Sequence, residues 1–468
     1  MADWEAVVGL EIHVHLKTRT KMFCRCEAGF GAPENTRTCP VCLAHPGALP
    51  VPNGRAIEWT IKLGLALGSE IPEHAVFHRK NYFYPDNPKG YQISQYDEPL
   101  CVGGRLAVPG PDGDEEIRFV RAHLEEDAAK TVHAGGATGR SVGADYSLVD
   151  FNRAGTPLVE IVTEPDIRSA EQAQRFLRLL RQTIVELGIS NAEMEKGTLR
   201  CDVNVSVRER GEAGFRTRWE LKNMNSFNFV GRGIEAAVRK QIEIYERGGQ
   251  VEQHTYDYEA ATDTLTIHRT KEEADDYRYF PEPDLVPIQP ERALVERLRG
   301  ELPEPPGARI RRLAEAVGYD SAAELVSTGA DRKAVPLVEE GVEWTVAAAV
   351  AMNQLAGHEP LPENYRALAE IVQKRETIPR DAYTASFAAS ATRPIGAEEF
   401  LSQTAISDES QLGTAVDEVL AANPRQVETY RGGKEGVLGF LVGQVMKQTE
   451  GKADPKVVNR LLREKLKV

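Results

Sequence analysis

One run near the start of the chain leaves it little conformational freedom. Ala6, Val8, Leu10, Ile12, Val14 and Leu16 fall on one parity, and Gly9, Glu11, His13, His15 and Lys17 fall on the other. A strand points successive side chains to opposite faces, so this alternation reads as a half-buried strand with its apolar face on a core. The other face sets a carboxylate and two imidazoles in a row. Carboxylate and neutral imidazole are both good ligands for divalent cations. The plain alternative is an exposed strand that is merely polar, and Glu11-Ile12-His13-Val14-His15 alone leaves both open.

A second strand repeats the pattern. Leu199, Cys201, Val203, Val205 and Val207 alternate with Arg200, Asp202, Asn204, Ser206 and Arg208. Ile117 to Arg121 follows an Asp112-Gly113 turn signal, and Leu158 to Thr163 and Arg218 to Lys222 are further strands. Two helices interrupt them. Ser169 caps one, with Gln172 placed for a capping box and Ala173, Phe176, Leu177, Leu180, Ile184 and Leu187 on one stripe. The other runs from about Arg232 to Arg247 and stops at Gly248-Gly249. Grouped strands with few helices between them predict an α+β fold with a largely antiparallel sheet.

Prolines from Pro281 to Pro306 then mark a boundary. Beyond it helix formers dominate, with helical periodicity over Glu339 to Ala356 and Asn364 to Arg375, and no strand is expected. A second break lies near Thr392-Arg393-Pro394-Ile395-Gly396. The resulting division is 1–292, 293–395 and 396–468, and a chain of 468 residues is long enough for about two to four domains. The end is locally basic through Lys447, Lys452, Lys456, Arg460, Arg463, Lys465 and Lys467.

The formal net charge of -14 argues against nucleic-acid binding by a diffuse basic surface, though not against a local basic patch. No apolar run is long enough to span a bilayer and no charged-then-apolar leader is evident, so a cytoplasmic protein without a membrane partner is expected. Four of the six cysteines cluster as Cys24-x-Cys26 and Cys39-x-x-Cys42. In that setting the cluster reads as a closed, structural zinc (Zn2+) site before it reads as disulfides. Cys101 and Cys201 stand apart and read as buried small side chains.

The densest chemistry lies in Arg79-Lys80-Asn81-Tyr82-Phe83-Tyr84-Pro85-Asp86-Asn87-Pro88-Lys89-Gly90-Tyr91-Gln92. Aromatics, amides and lysines in one Pro-rich loop can stack on a ring and offer cations to phosphate, or simply pack on the core. His123-Leu124-Glu125-Glu126-Asp127 places three carboxylates together, which repel unless a cation or arginine sits among them. With Glu11 and His13 they make a candidate magnesium site, and Asp150, Asn152 and Glu160 are further candidates. Lys80, Arg153 and Arg200 are placed to neutralise phosphate. No G-x-x-x-x-G-K-[ST] loop, no convincing G-x-G-x-x-G fingerprint and no G-x-S-x-G elbow occurs, so any ATP would be held by metal and scattered cations.

Long segments then resemble a known family, the B subunits of the aspartyl/glutamyl-tRNA amidotransferases. They include Val8 to Val14, Lys80 to Gln92, Leu124 to Ala128, Asp150-Phe151-Asn152-Arg153-Ala154-Gly155-Thr156-Pro157-Leu158, Leu221 to Ser226, Asp276 to Asp284 and Gly439 to Lys447. The resemblance implies a cradle domain, a helical domain and a helical tail domain. It implies a heterotrimer with a glutaminase (amidase) subunit and a small third subunit, acting on glutamate or aspartate misacylated onto tRNA. The side-chain carboxylate is phosphorylated by ATP, and ammonia from the glutaminase displaces the phosphate. The implied site residues are Glu11, His13 and Glu126 for magnesium (Mg2+), with Glu125 beside them. Lys80 and Tyr82 would meet ATP phosphate or the aminoacyl end, and Lys89, Arg153 and Arg200 would line the nucleotide. Asp150, Glu160 and Asp202 rank lower, and His15 stands where some members carry glutamate. Lys447, Lys452, Lys456 and Arg460 would hold the tRNA backbone. Two other classes stay in view: a standalone ATP-dependent amide ligase, and a zinc-bearing tRNA adaptor that catalyses nothing.

Overall fold

The computed structural model describes residues 3–135, 143–260, 262–269, 274–376, 380–392, 409–449, 453 and 455–466. The chain forms two compact units, Met1–Arg311 and Arg312–Val468. Among the described residues the first carries fourteen strands: β1 Trp4–His15, β2 His78–Asn81, β3 Tyr91–Ser94, β4 Cys101–Val102, β5 Arg105–Gly110, β6 Gly113–Glu126, β7 Lys130–Ala134, β8 Tyr146–Asp150, β9 Pro157–Thr163, β10 Leu199–Glu209, β11 Trp219–Lys222, β12 Thr255–Glu259, β13 Thr264–Arg269 and β14 Phe280–Pro281. Its helices include α1 Gly54–Ala66, α2 Ala170–Glu186 and α3 Phe227–Glu246.

The main sheet has nine strands, in the order β13-β12-β11-β10-β1-β9-β6-β4 with β5 paired to β6. Every pairing in it is antiparallel except β11 with β12. The expected α+β fold with a largely antiparallel sheet is what forms, and a helical region follows it. β1 lies between β10 and β9. Its alternation therefore resolves as the pattern requires: Val8, Leu10, Ile12 and Val14 are at most 1% exposed. They share a core with Cys201, Val203, Val205, Val159 and Ile161. On that side α2 and α3 pack on one another, and Gln241 of α3 donates to the Val205 carbonyl at 3.1 Å. Cys101 and Cys201 are buried, as expected of them.

β2, β3 and β14 form a separate small sheet. It is stitched to the end of β6 by Gln95, whose Oε1 accepts from the backbone of Leu124 at 3.0 Å and Leu100 at 3.2 Å. The Pro-rich boundary does not release the chain at once. Arg297 pairs with Glu58 of α1 at 2.6 Å and Arg309 grips Glu186 of α2 through both terminal nitrogens, so the first unit reaches Arg311.

Among the described residues every named element of the second unit is a helix. One core gathers Leu337, Ala347, Leu355, Leu368, Ile371 and Phe387. Another gathers Leu412, Val416, Leu441, Val445, Val458 and Leu462. The break expected at 392–396 falls almost wholly outside the described residues. Among the described residues no helix is long and apolar enough to cross a membrane.

Candidate active site and metal centre

The sheet face away from α2 and α3 is polar across five neighbouring strands. Antiparallel register sets Glu11 against Asp202 and His13 against Arg200 on one side of β1, and His13 against Glu160 on the other. Glu160 in turn faces His123 of β6. Lys222 of β11 closes the row as an ion pair with Asp202. Each strand contributes through the same physics: one parity goes into the core, so the other accumulates on this face.

Two three-residue groups result, Glu11–His13–Glu160 and His123–Glu125–Glu160, each with its ligand atoms within 4.8 Å of one another. Glu160 belongs to both. His13 Nε2 lies 3.4 Å from Glu160, 3.7 Å from Glu11 and 3.7 Å from Glu125. Burial opposes the His13 imidazolium, but its hydrogen bond to Glu160 and the surrounding carboxylates raise its pKa to about 9. Burial likewise opposes ionisation of Glu160, yet His123, His13 and Lys80 hold it well below the usual carboxylate range. Glu11 moves upward, because burial and the charges of Glu160 and Asp202 outweigh His13 and Lys222. A carboxylate raised by a neighbouring carboxylate, as Glu11 is by Glu160, is what a divalent cation relieves.

Lys80 on β2 reaches this face from the small sheet. Its ammonium sits 4.7 Å above the Tyr277 ring, and although burial opposes its charge, Tyr279, Glu125 and Glu160 keep its pKa above the usual lysine value. Tyr82 lies in the same field, its phenol pushed up by burial. Ser94 Oγ donates to Glu125 at 3.1 Å.

Other expected residues are placed differently. Glu126 turns to the side of β3, where it pairs with Lys89 and accepts from the Ile93 N–H at 3.1 Å. The structure thus gathers Glu160, not Glu126, with Glu11 and His13. Arg153 donates to the carbonyls of Ala128 at 3.0 Å and Ala129 at 2.7 Å. Arg200 binds Asp127 at 2.8 Å, and His15 Nε2 meets the same carboxylate at 2.7 Å. Burial works against the Asp127 charge, but Arg200, His15 and Arg153 pull its pKa far below the usual range. Asp150 and Asn152 serve the cysteine loop: Asp150 accepts from the Asn35 N–H at 3.0 Å, and Asn152 Oδ1 from the Arg37 N–H at 2.7 Å.

The four cysteines do converge, with their sulfurs within 4.8 Å of one another. The Cys39 N–H donates to Cys42 Sγ at 3.2 Å. Cys42 is drawn down to about 4 by a hydrogen bond from Cys24, then by the Cys39 N–H and Lys21, while sharing that proton pushes Cys24 up. Four convergent thiols, one already favouring thiolate, fit a tetrahedral metal such as zinc. A cavity of about 170 Å³ separates this centre from the Lys89–Glu126 pair and is lined by Lys21, Cys24, Cys42, Lys89, Glu126 and Gly155.

In the second unit Lys447, Lys456 and Arg460 are exposed on helices Leu438–Gln448 and Pro455–Leu466, with Lys456 3.9 Å from Glu376. Lys452 lies outside the described residues. Lys465 is tied to Asp417 at 2.6 Å.

His123 was not among the expected site residues, and Glu160 ranked low. Both carried a signal. His123-Leu124-Glu125 is the same alternation as Glu11-Ile12-His13 read backwards, and Glu160 is the lone charge in the apolar run Pro157 to Thr163.

Fold and face together define an α+β protein with carboxylates and imidazoles clustered on one sheet face and four cysteines converging on another centre. Residues 6–296 match the family described as the GatB/GatE catalytic domain, and residues 359–466 match the GatB domain. The chain is 47% identical to the B subunit of the aspartyl/glutamyl-tRNA(Asn/Gln) amidotransferase of Moorella thermoacetica, over 99% of this chain and 100% of the relative. It is 44% identical to that of Persephonella marina, over 99% of this chain and 100% of the relative. Against that of Anaeromyxobacter dehalogenans it is 44% identical, over 100% of this chain and 99% of the relative. The chain belongs to the family of aspartyl/glutamyl-tRNA(Asn/Gln) amidotransferase B subunits.

Proposed function

We propose that this chain converts Glu-tRNA(Gln), Asp-tRNA(Asn) or both into the amidated forms, as the activating and transamidating member of a heterotrimer with a glutaminase (amidase) subunit and a small third subunit. A free carboxylate is a poor acyl donor, because ammonia would have to expel oxide. One oxygen of the substrate's side-chain carboxylate attacks the γ-phosphorus of ATP, and ADP leaves. Ammonia then attacks the acyl carbon, phosphate leaves, and the amide remains.

The observation that carries this proposal is the shared Glu160, which joins Glu11, His13, His123 and Glu125 on one sheet face. Glu11 and Glu160 would hold magnesium, with His13 joining them on release of its extra ring proton, Glu125 beside them and Glu126 bordering the site on its Lys89 side. When bound, magnesium neutralises the phosphate oxygens during transfer. Lys80 holds a positive charge beside the same carboxylates, suited to phosphate, and Tyr82 shapes that wall. Arg153 and Arg200 hold Asp127 and the turn after β6, supporting the site from behind. The cysteines would hold a structural zinc outside the reaction.

Functionally the chain divides into a cradle at 1–292, a helical domain at 293–395 and a tRNA-binding tail at 396–468. Lys447, Lys452, Lys456 and Arg460 would contact tRNA phosphates in the tail. A role on tRNA alongside partner subunits belongs in the cytoplasm.

The test is reconstitution with both partner subunits on each misacylated tRNA, with mass detection of the amide. Wild type should form amide with ATP and glutamine, and without a glutaminase only with added ammonia. An adaptor would turn over no ATP in response to misacylated tRNA, and that result would overturn the proposal.

A further inference from the structure

We infer that Lys21 is the counter-ion of the four-cysteine metal centre, and that through Lys21 this centre holds the loop behind Glu126. The inference rests on the metal reading of the cysteines.

Lys21 is 1% exposed, among the largest fully buried side chains of the protein. A lysine ammonium is almost never buried without an anion. Among the described residues, however, no carboxylate pairs with it. Its Nζ donates to the Phe151 carbonyl at 3.0 Å and lies 3.7 Å from Cys42 Sγ. Among those residues the sulfur is therefore the candidate anion. Four thiolates around one divalent ion leave excess negative charge, and a buried cation against one of the sulfurs offsets it. Charge on the centre and burial of the lysine explain each other.

The position also makes Lys21 a link. Its own N–H donates to the Cys26 carbonyl at 2.9 Å, so its backbone belongs to the first cysteine pair. Its ammonium donates to the Phe151 carbonyl, at the start of the 151–155 loop. The next residue, Met22, donates to the Gly155 carbonyl at 2.7 Å, and the Gly155 N–H donates to the Asp127 carbonyl at 2.8 Å. Gly155 has φ +81, and a Cβ there would lie 3.5 Å from Lys21 Cδ, so the loop approaches this side chain closely. The path thus runs from thiolate to Lys21, to the 151–155 loop, to Asp127 and so to Glu126. Lys21 is a positioning residue: it touches no reacting atom, and it ties the metal centre to the strand end that borders the active site.

The experiment uses the full-length chain, purified anaerobically, and measures three things. Metal content of the wild type tests the underlying reading, with one zinc per cysteine cluster expected. Zinc release to a chromogenic chelator is then compared for Lys21→Met and Lys21→Arg at matched near-ultraviolet circular dichroism. Lys21→Met should release zinc roughly ten- to a hundredfold faster, the usual cost of losing a group that supports metal ligands, and Lys21→Arg should stay near wild type. Finally, amine acylation of the wild type is mapped by mass spectrometry before and after zinc removal. Lys21 should be protected with zinc and reactive without it. A wild type that takes up no metal overturns the metal reading and this inference together. If zinc is bound, wild-type release from folded Lys21→Met, or Lys21 protection that ignores zinc removal, overturns the inference alone. Should Lys21→Met fail to fold, the acylation map of the wild type decides.

Discussion

Glu160 shows how much a single side chain can owe to its neighbours. In sequence it is one glutamate within a strand of apolar residues, and nothing in its spacing ties it to Glu11 or His123. Strand register puts it opposite both His13 and His123, and it becomes the carboxylate common to two ligand groups. Glu160→Gln keeps the shape and removes the charge. Amide formation at saturating ATP should fall roughly a thousandfold, as for loss of one key electrostatic group, while misacylated tRNA binds as before. Comparable loss of tRNA affinity in a filter-binding assay would contradict a chemical role. Asp127 teaches a different lesson. It reads as one of an acidic triplet, yet His15, Arg200 and Arg153 converge on it. Asp127→Asn leaves two part-exposed arginines without their anion and should cost about 1.5 kcal/mol, the worth of a charge-assisted hydrogen bond. Denaturant titration of the first unit checks this, and an unchanged midpoint would remove Asp127 as the clamp.

At the scale of elements, local signals did well where they concern a backbone group within a few residues. Ser169 caps α2, accepting from the Gln172 N–H at 3.1 Å. The reciprocal half of the expected box differs: Gln172 Oε1 accepts from the Arg168 N–H at 2.7 Å instead of from Ser169. Ser169→Ala should therefore weaken the first turn by about 1 kcal/mol. Amide exchange over Ala170–Ala173 reads this, and exchange as slow as wild type would mean the cap is idle. The helix expected from about Arg232 begins at Phe227, because Ser226 accepts from the Phe229 N–H and opens it a turn earlier. The helical stretch expected from Glu339 to Ala356 is broken. Glu340 and Gly341 end one helix, with Gly341 at φ +89, and Glu343 caps the next by accepting from Thr345 at 3.1 Å. Periodicity continued through that turn, so hydrophobic spacing alone hid it.

For the whole molecule, the carboxylate face and the basic helices fall in different units. Activation and tRNA grip should then be separable by substitution. In helix Pro455–Leu466, Val458, Leu461 and Leu462 face its core while Lys456 and Arg460 are exposed. The double variant Lys456→Glu, Arg460→Glu should weaken tRNA binding and lower the slope of log affinity against log salt by about 1.4 to 1.8, since each of the two phosphate contacts contributes about 0.7 to 0.9. Turnover at saturating tRNA should hardly change. A wild-type salt slope in the variant would remove these residues from the interface.

By itself the sequence determined the parity of its strands, the existence of the capped helices, the gathering of four cysteines and the helical character of the second unit. These are local, because alternation, capping and short ligand spacings act within a few residues of one another. Register was left to the tertiary structure. Only pairing β1 between β9 and β10 shows that Glu160 stands by His13, and only the stitching of β3 to β6 shows that Glu126 turns to Lys89. The same holds for Lys21, an ordinary lysine beside a cysteine pair until folding seals it from water against a sulfur. The physical reason is common to all three. Charge and metal chemistry depend on distances of a few ångströms between residues far apart in the chain, and packing alone sets those distances.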